Sequence, residues 1–504
     1  MSAITVRDLS PDQRECFDVI VRWAASHGAT QVLSMGGYAG TGKSTLVSLV
    51  AETLPPPVAF CAFTGKASSV LKRKLQAAGI YTVGTQRSDR DGGPSLEMRP
   101  YCGTIHSLIY RPCSCREPAV VEVARPCPEK ECTAETSWVE AAGAAASVCA
   151  AGHRGLLPTA AAVAALRPKT FHVYPPKDPE GRCGICFEKG WLRRETLDRD
   201  YSLIIVDEAS MVDDTMLRDL SSYQKPILAV GDHGQLPPVG GSGSLMKNPA
   251  LRLERIHRQA EGNPIILLSK IVRETGNIPN VLPGSDDRVA FGRLRLAESL
   301  LEERYGAADA KRLLEMGLCC ATNRRRVGMN VAIRRVRGTA RTGRELPRAG
   351  EHVVCLKNMK PSRGEEPIYN GMRGVLVSDA DPKRNVNARG EALGTSKTQL
   401  HAMIEFPDDG IAPREFDLLA AQFGRDKTFS TPEDLLRETG LYSFQMAGAL
   451  FDFGFAMTCH KMQGSQYEDL VVVAERMGPM SAEDWTRWQY TAVTRAAERL
   501  TVLR

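Results

Sequence analysis

The feature that most constrains the fold of this chain is the glycine-rich run Gly37-Tyr-Ala-Gly-Thr-Gly-Lys-Ser44. An apolar segment from Gln31 to Met35 precedes it and predicts a short buried strand, whereas Ser44 to Leu54 carries apolar residues at helical spacing. Glycines let backbone N–H groups wrap a phosphate without Cβ clashes, and a helix N-terminus adds the positive end of its dipole. The strand, loop and helix together predict an α/β fold that binds a nucleoside triphosphate.

The positions of this loop have separate expected roles in binding ATP and Mg²⁺. Lys43 is expected to reach the β and γ phosphates, and the hydroxyl of Ser44 is expected to bind magnesium. A glycine turn that only joins a strand to a helix is the alternative, and the complete signature disfavours it. The remaining expected nucleotide contacts in this segment are Gly37, Gly40, Thr41, Gly42 and Thr45.

Length and charge are those of a soluble protein with several domains. A chain of 504 residues predicts three or four domains or subdomains, and a net charge of +6 permits a nucleic-acid partner without requiring one. Arginines cluster between Asn323 and Arg344, which is equally typical of a solvated helix face. The N-terminus lacks the apolar core of a secretory signal, and no apolar run is long enough to span a bilayer. We therefore expect a cytoplasmic protein with no membrane partner.

Two sets of short apolar segments alternate with helical patterns and predict two α/β units, each with a parallel sheet, and a cleft between them. The first set is Val58 to Phe63, Ser202 to Val206 and Ile227 to Val230, and the second is Leu318 to Ala321, Gly454 to Met457 and Leu470 to Val473.

Two inserts interrupt this pattern. The first is rich in cysteine and then in alanine, and its stretch from Ala141 to Ala165 is expected to be helical or poorly ordered. The second contains short strands at His352 to Leu356, Gly374 to Ser378 and Ala402 to Phe406, which predict a small β-barrel. The predicted domains are 1–109 with 200–245, the first insert at 110–199, 246–349 with 451–504, and the barrel at 350–450.

Acidic and amide side chains follow two predicted strands of the first unit. Asp207 and Glu208 come directly after one strand, where Asp207 could hold magnesium through water and Glu208 could deprotonate the attacking water. Asp232 and Gln235 follow the next strand and could sense a γ phosphate. A pair of acids after a strand is often only a helix N-cap, but the upstream loop favours catalysis.

The order of these motifs resembles that of superfamily 1 helicases, in particular the RecD/Dda-type branch that includes the Pif-type enzymes. The resemblance covers nearly all of the chain outside the first insert and implies two RecA-like P-loop domains. Leu9-Ser-Pro-Asp-Gln13 resembles the segment that reads adenine, which implies that role for Gln13. The segments Leu253 to Gln259 and Tyr490 to Ala496 resemble motifs IV and VI. They imply that Arg258 and Arg495 approach the γ phosphate from the second domain, with Arg495 as the arginine finger.

Further segments resemble the family motifs that grip a single strand by its backbone. They are Ala62 to Ala67, Gly103 to Ser107, Ala321 to Arg324 and Phe455 to Ser465, the last of which also implies nucleotide contacts for Gln463 and Gly464. Taken separately, Thr64 and His106 would more often cap turns or lie in a core. The implied nucleic-acid contacts are Thr64, Gly65, Lys66, Thr104, His106, Asn323, Thr458, His460, Lys461 and Ser465.

The resemblance implies an ATP-dependent DNA helicase that acts on single-stranded DNA and tailed duplexes in replication, recombination or repair, with proteins of those pathways as partners. Ile368 to Gly374 resembles the start of the small barrel of the 5′-to-3′ branch. Two alternatives remain open. One is an RNA or RNA/DNA helicase, because backbone contacts alone do not distinguish the sugars. The other is a scaffold switched by ATP that recruits partners through its first insert.

Close pairs of cysteines in the first insert predict a structural zinc site, because zinc takes thiolate ligands in a tetrahedral arrangement. Reduced free thiols or a redox pair are the alternatives. The preferred ligands are Cys113, Cys115, Cys183 and Cys186, with Cys127 and Cys132 as substitutes or as a second site.

Overall fold

The structure is a computed structural model in which two compact units are distinguished, Met1–Leu108 with Asp198–Arg504, and Ile109–Leu197. The residues that it describes are 5–26, 30–80, 82, 100–112, 119–123, 136–141, 144–149, 169–173, 191–238, 245–255, 262–282, 287–341, 345–359, 366–386, 392–442, 444–478 and 480–504.

Several of the α-helices begin at a polar N-cap residue. Thr64, Thr322 and Thr431, for example, each accept a backbone N–H from the first turn of the following helix, which satisfies one of its unpaired donors. In chain order the helices are α1 Pro11–Ala25, α2 Lys43–Thr53, α3 Gly65–Ala77, α4 Ile105–Ile109, α5 Asp214–Ser221, α6 Pro264–Thr275, α7 Ala297–Leu301, α8 Ala310–Glu315, α9 Asn323–Val336, α10 Pro432–Thr439, α11 Phe444–Ala447, α12 Cys459–Met462 and α13 Ala482–Val493.

The strands form two parallel sheets and several antiparallel ones. In chain order they are β1 Val32–Gly37, β2 Val58–Ala62, β3 Tyr101–Thr104, β4 Tyr110–Pro112, β5 Ala119–Val123, β6 Thr136–Ala141, β7 Ala144–Cys149, β8 Lys169–Val173, β9 Trp191–Arg193, β10 Leu203–Asp207, β11 Ile227–Gly231, β12 Leu251–Leu253, β13 Val289–Gly292, β14 Met316–Cys320, β15 His352–Cys355, β16 Arg373–Leu376, β17 Asp381–Val386, β18 Ala392–Phe406, β19 Ile411–Leu419, β20 Phe451–Phe453, β21 Ala456–Thr458, β22 Tyr467–Val473 and β23 Ala496–Leu503.

The first parallel sheet has the strand order β12-β1-β11-β10-β2-β3. Its central strands are continuous apolar runs because helices cover both faces; every residue of β2 and of β11 is buried. Leu46, Val50 and Leu71 pack from α2 and α3 against Phe60 and Ile205 in one core. We call the part built on this sheet the first lobe.

The second parallel sheet has the order β13-β23-β22-β14-β21, and we call the part built on it the second lobe. Trp488 of α13 and Leu268 of α6 pack in the core on one side, whereas Ile333 of α9 and Tyr305 lie in the core on the other. Two RecA-like domains with parallel sheets are thereby confirmed. The C-terminal strand β23, which pairs with both β13 and β22, was not among the predicted strands.

The inserted sheet, which runs from β15 to β20, is antiparallel with the order β17-β18-β16-β15-β20, and β19 pairs with β18. Phe406, Phe416 and Phe451 form an aromatic cluster in its own core. The predicted strands at His352, Gly374 and Ala402 all lie in this sheet. An isolated bridge joins Leu418 of β19 to Ala449, two residues before β20. Full closure of the sheet into a barrel stays a prediction.

The unit Ile109–Leu197 contains the pair β4-β9 and a four-stranded antiparallel sheet of order β7-β6-β5-β8. Ala144–Cys149 forms strand β7, paired with β6 from Thr136 to Ala141. The expectation of a helical or poorly ordered alanine-rich stretch was therefore wrong for these residues, because cross-strand pairing overrides the helix propensity of alanine. Within the described part of the chain, no helix is long and apolar enough to cross a membrane.

Candidate nucleotide and nucleic-acid site

The glycine-rich loop connects β1 to α2, as its sequence predicts. Gly40 and Gly42 have φ angles of +80° and +79°, in the left-handed region that favours glycine. A Cβ on Gly37 would lie only 2.7 Å from Oγ1 of Thr41, so the turn is also too tight for a side chain there. Lys43 Nζ donates to the carbonyl oxygens of Gly37 at 2.6 Å and Tyr38 at 3.0 Å. The ammonium group is thus held over the loop by acceptors that a triphosphate would replace.

The two acidic residues lie beside this loop, because β10 and β1 both flank β11 and their carboxyl ends share one edge of the sheet. Asp207 ends β10, and its Oδ1 accepts the backbone N–H of Glu208 at 2.9 Å. Glu208 has a φ of +52°, a conformation that costs free energy for any residue other than glycine. Such strain is concentrated at functional sites.

The electrostatic surroundings of Glu208 suit a proton acceptor. Burial raises its pKa, and so does the neighbouring charge of Asp207, whereas the charges of Arg495 and Lys43 lower it. A carboxylate whose pKa is raised in this way accepts a proton more readily than an ordinary glutamate. Lys74 of α3 also reaches the site, where its Nζ donates to Oγ of Ser44 at 3.4 Å.

The residues present fit ATP and Mg²⁺. Oε1 of Gln235 and Oγ of Ser210 are buried without a hydrogen-bond partner, which is rare for polar atoms unless water or a ligand satisfies them. Gln235 Nε2 lies 3.3 Å from Oδ2 of Asp232, so the two predicted sensors of the γ phosphate are in contact. The oxygen ligands that magnesium prefers are present in Ser44 and Asp207.

Tyr490 of the second lobe reaches into the first lobe at this site. Its hydroxyl donates to Oδ2 of Asp232 at 2.8 Å and accepts the backbone N–H of Ala39, within the glycine-rich loop, at 3.1 Å. The neighbouring Thr491 accepts the N–H of Leu236 through Oγ1 at 2.9 Å, and Gln463 Nε2 donates to the carbonyl of Leu236 at 3.2 Å. Motifs near the C-terminus therefore bind directly to the loop and to the end of β11.

A second contact between the lobes at this site was not predicted from the sequence. The guanidinium carbon of Arg273, on α6 of the second lobe, lies 3.5 Å from the ring centroid of Tyr38 in the glycine-rich loop. The ring of His233 lies on Tyr38 as well, at 4.2 Å between centroids. Tyr38 is at a position where the loop signature allows any residue. An aromatic side chain at this position was the one feature of the sequence that could have indicated the contact.

Of the two arginines predicted to approach the γ phosphate, the structure describes Arg495 but not Arg258. Arg495 is buried and donates to Thr491 O at 3.2 Å and to Ser465 O at 3.4 Å within its own lobe, while its charge acts on Glu208. Arg258 lies outside the described residues. Gly464 lies against the first lobe, since a Cβ on it would come within 3.0 Å of Cβ of Ala67.

Gln13 lies next to the glycine-rich loop and is buried there. Its Nε2 donates to the carbonyl of Thr41 at 3.0 Å, and its Oε1 accepts the N–H of Ser10 at 3.1 Å. The family resemblance implies that Gln13 reads adenine. That role stays a prediction.

The residues expected to contact nucleic acid lie at the carboxyl ends of strands in both parallel sheets. Thr64 and Thr104 follow β2 and end β3 in the first lobe, while Asn323 and Thr458 follow β14 and end β21 in the second. Thr64 caps α3 by accepting the N–H of Ala67 at 3.1 Å, so its hydroxyl has the structural role that was the alternative. Both lobes therefore present these side chains at one edge of each sheet.

Burial lowers the pKa of four basic residues in this set. It lowers the pKa of His106 and that of His460. It also lowers the pKa of Lys461 to about 8, to which the nearby charge of Arg326 contributes. Burial also lowers the pKa of Lys66, which is paired with acidic residues of the inserted sheet. These four side chains are therefore not simply solvated surface groups.

All six cysteines of the predicted zinc site lie outside the described residues: Cys113, Cys115, Cys127, Cys132, Cys183 and Cys186. Among the residues that are described, no group of three or more His, Cys, Asp or Glu side chains could hold a metal ion. Zinc binding thus stays a prediction.

Two segments of the sequence match known protein families. Residues 22–241 match the AAA domain, and residues 453–503 match the UvrD-like helicase C-terminal domain. No curated protein sequence matches the chain. These two segments contain the glycine-rich loop, the acidic pair, Asp232 and the Tyr490–Arg495 segment.

Several solved structures of helicases are distantly similar over 98% of the chain. Two coordinating Pif1 helicases on forked double-stranded DNA have 15% identity, 91% of that chain covered and a TM-score of 0.43. Pif1 helicase from Bacteroides with ADP-AlF3 and single-stranded DNA has 15% identity, 92% covered and a TM-score of 0.44. Pif1 helicase from Candida albicans has 16% identity, 95% covered and a TM-score of 0.38.

Proposed function

Since the chain belongs to the superfamily 1 helicases and is an ATP hydrolase, we propose that it is a DNA helicase of the RecD/Dda-type, Pif-like branch that moves 5′ to 3′ on single-stranded DNA. The observation that carries this proposal is the double contact of the Tyr490 hydroxyl with Asp232 and Ala39 across the lobes. A hydrolase whose site is completed by a second lobe can couple hydrolysis to relative movement of the lobes. Movement along a strand needs such coupling.

Each residue of the proposed catalytic site has one task. Lys43 and the loop N–H groups bind the triphosphate, with Gly37, Gly40, Thr41, Gly42 and Thr45 forming the cradle. Ser44 and Asp207 would hold Mg²⁺, which neutralises phosphate charge when it is bound. Glu208 positions the attacking water and accepts its proton, and Asp232 with Gln235 senses the γ phosphate.

The second lobe completes the proposed site. Arg495 stabilises negative charge that develops in the transition state, because a guanidinium keeps its charge even when buried. Arg258 is proposed to act beside it, and Gln463 and Gly464 to line the nucleotide from the same side. The charge of Arg495 on Glu208 supports this placement.

Single-stranded DNA is proposed to cross the carboxyl edges of both sheets. The contacts would be Thr64, Gly65, Lys66, Thr104 and His106 from the first lobe, and Asn323, Thr458, His460, Lys461 and Ser465 from the second. Hydroxyls, backbone amides and cations suit phosphates and carry no base code, so binding would not depend on sequence.

We propose that the chain has four domains or subdomains, at 1–109 with 200–245, 110–199, 246–349 with 451–504, and 350–450, the last a small barrel. A zinc ion held by four of the insert cysteines would stabilise 110–199. Metal analysis of purified protein tests this, and protein without stoichiometric zinc whose Cys183→Ser variant keeps a folded insert would contradict it.

Hydrolysis of ATP by the purified chain, measured with and without single-stranded DNA or RNA of equal length, tests the proposed substrate. We expect DNA to stimulate hydrolysis more than RNA. Stronger stimulation by RNA would favour the RNA helicase. Tight binding of DNA that depends on ATP, without strand displacement, would favour the scaffold.

A further inference from the structure

An acidic turn of the inserted sheet lies against the part of the first lobe that is expected to bind a DNA backbone. The turn Pro407–Asp409 joins β18 to β19. Nζ of Lys66 on α3 lies 3.9 Å from Oδ2 of Asp408 and 4.0 Å from Oδ2 of Asp409. Two helical turns further along α3, Arg73 donates a hydrogen bond to the carbonyl oxygen of Asp408. Two cations of α3, seven positions apart and therefore on one face, converge on this turn.

The carboxylate of Asp409 is poorly satisfied in this position. Its side chain is 4% exposed, and neither of its oxygens has a hydrogen-bond partner. Burial raises the pKa of Asp409, and burial likewise lowers that of Lys66, so the pair is held in a setting that suits neither charge. A buried carboxylate without donors costs free energy, and an ion pair at 4.0 Å recovers only part of it. The contact is therefore poorly explained as a means of stabilising the fold.

A second element of the inserted sheet covers the start of the same helix. A Cβ built on Gly65 would lie 2.1 Å from Cγ of Tyr369, so the tyrosine ring rests directly on the backbone of the first turn of α3. Backbone N–H groups at a helix N-terminus attract phosphates. In the structure this end of α3, together with Lys66, is closed off by Tyr369 and the acidic turn.

We propose that Lys66 and Arg73 form a binding site for a backbone phosphate of single-stranded DNA, and that Asp408 and Asp409 occupy it as an internal substitute for phosphate until a strand displaces them. The inference rests on the proposed function. Lys66 lies near both carboxylates, and Arg73 donates to the carbonyl oxygen of Asp408. Phosphate oxygens accept from the same two cations, so a backbone phosphate can take the place of the turn. When the acidic turn moves away from α3, water can solvate the carboxylate of Asp409, which has no hydrogen-bond partner in the contact. Replacing the turn with a DNA strand therefore costs less free energy than breaking a well-paired contact would.

A DNA strand and the acidic turn of the inserted sheet cannot occupy α3 at the same time. A coupling between two such events typically changes affinity between about fivefold and 150-fold. Neutralising the turn should thus tighten strand binding by a measurable factor. Removal of Lys66 should weaken binding and also abolish that gain, because the turn then has no site to block.

The test is the equilibrium affinity of the full chain for a fluorescent oligothymidylate, without nucleotide, for the wild type and for Asp408→Asn with Asp409→Asn. A matched control is Asp379→Asn with Asp381→Asn, two exposed acids of the inserted-sheet segment whose loss changes the net charge equally. We expect about tenfold tighter binding for the first pair and less than a twofold change for the control. Thermal unfolding of each variant checks that the fold is kept.

Combining the Asp408→Asn and Asp409→Asn changes with Lys66→Ala completes the cycle. We expect the tenfold gain to disappear, and Arg73→Ala to weaken binding and reduce its salt dependence by about one released ion. The proposal would be overturned if the Asp408→Asn, Asp409→Asn variant bound DNA no more tightly than its control. It would also be overturned if the tighter binding persisted after Lys66→Ala.

Strand-stimulated hydrolysis by the wild type distinguishes this failure from failure of the proposed function. Stimulated wild-type hydrolysis with no gain from the Asp408→Asn and Asp409→Asn changes would overturn only the inference about the turn. Binding by that variant and not by the wild type would support it strongly. Absence of strand binding in every variant would overturn both.

Discussion

The hydroxyl of Tyr490 lies 2.8 Å from Oδ2 of Asp232, although the two residues are 258 positions apart in the sequence. The same hydroxyl accepts the N–H of Ala39 at 3.1 Å. One oxygen atom of the second lobe thereby joins both the glycine-rich loop and the end of β11 in the first lobe. The relationship links the state of the nucleotide site to the position of the second lobe.

Replacing Tyr490 with Phe removes this link and keeps the ring. Because a hydrogen bond to a charged group contributes about 1.5–3 kcal/mol, strand-stimulated turnover should fall roughly tenfold or more, with little change in the affinity for ATP. Steady-state hydrolysis and nucleotide titration measure the two effects. The control is Tyr305→Phe, which removes a buried hydroxyl that has no hydrogen-bond partner. Wild-type turnover in Tyr490→Phe would contradict the proposed coupling.

Glu208→Gln should bind ATP normally and lose about 10²–10⁴-fold in turnover, as expected when a general base is removed. Its raised pKa adds a pH dependence, because the protonated carboxyl cannot accept a proton. Wild-type hydrolysis should therefore decline on the acid side at a higher pH than an ordinary glutamate would give. Glu298→Gln, on the exposed side of α7, is the control and should hydrolyse normally. Retained turnover in Glu208→Gln would exclude this residue as the base.

Arg495→Ala should bind ATP and lose roughly 10³-fold or more in strand-stimulated turnover. Arg495→Lys should not restore it, since an ammonium cannot reproduce the planar fork of a guanidinium. The control is Arg499→Ala, whose side chain is 51% exposed and pairs with Asp469 at 3.0 Å away from the nucleotide site. Single-turnover hydrolysis measures the effect, and equal rates in the two alanine variants would contradict the role of Arg495.

Strand binding should weaken as the pH rises through about 8, the value to which burial and the charge of Arg326 lower the pKa of Lys461. A phosphate binds the protonated amine, so affinity is complete below this pKa and is lost above it. Lys461→Arg should remove this loss because arginine stays charged. Fluorescence anisotropy between about pH 6.5 and 9.5 measures it. Lys270→Arg, on an exposed face of α6, should keep the wild-type profile; an unchanged profile in Lys461→Arg would rule out the contact.

Local patterns predicted the strands and helices that frame the nucleotide site. The central strands β2, β10 and β11 are buried on both faces, so each is a continuous apolar run in the sequence. The loop before α2 requires left-handed residues, which only its glycines supply. These features depend on neighbouring residues and can therefore be read from the sequence.

Other features depend on tertiary contacts that no local pattern reveals. Residues 497–499 of β23 are exposed, whereas Ala496 and the last four residues are buried, so the strand does not have the apolar run of an interior strand. The stacking of Arg273 on Tyr38 joins residues of different lobes. Lys66 was expected to contact a DNA strand, yet in the structure it pairs with an acidic turn that lies more than 340 residues later in the chain. Such contacts are decided by how the lobes and the inserted sheet pack.

The most direct test of a motor with a split ATP site is strand displacement on duplexes with a single-stranded tail at either the 5′ or the 3′ end. The wild type should displace the strand from the 5′-tailed duplex in the presence of ATP and Mg²⁺, and Lys43→Ala should not. Tyr490→Phe should displace it more slowly. Displacement from only the 3′-tailed duplex would contradict the direction, and displacement by Lys43→Ala, or none by the wild type, would contradict the motor itself.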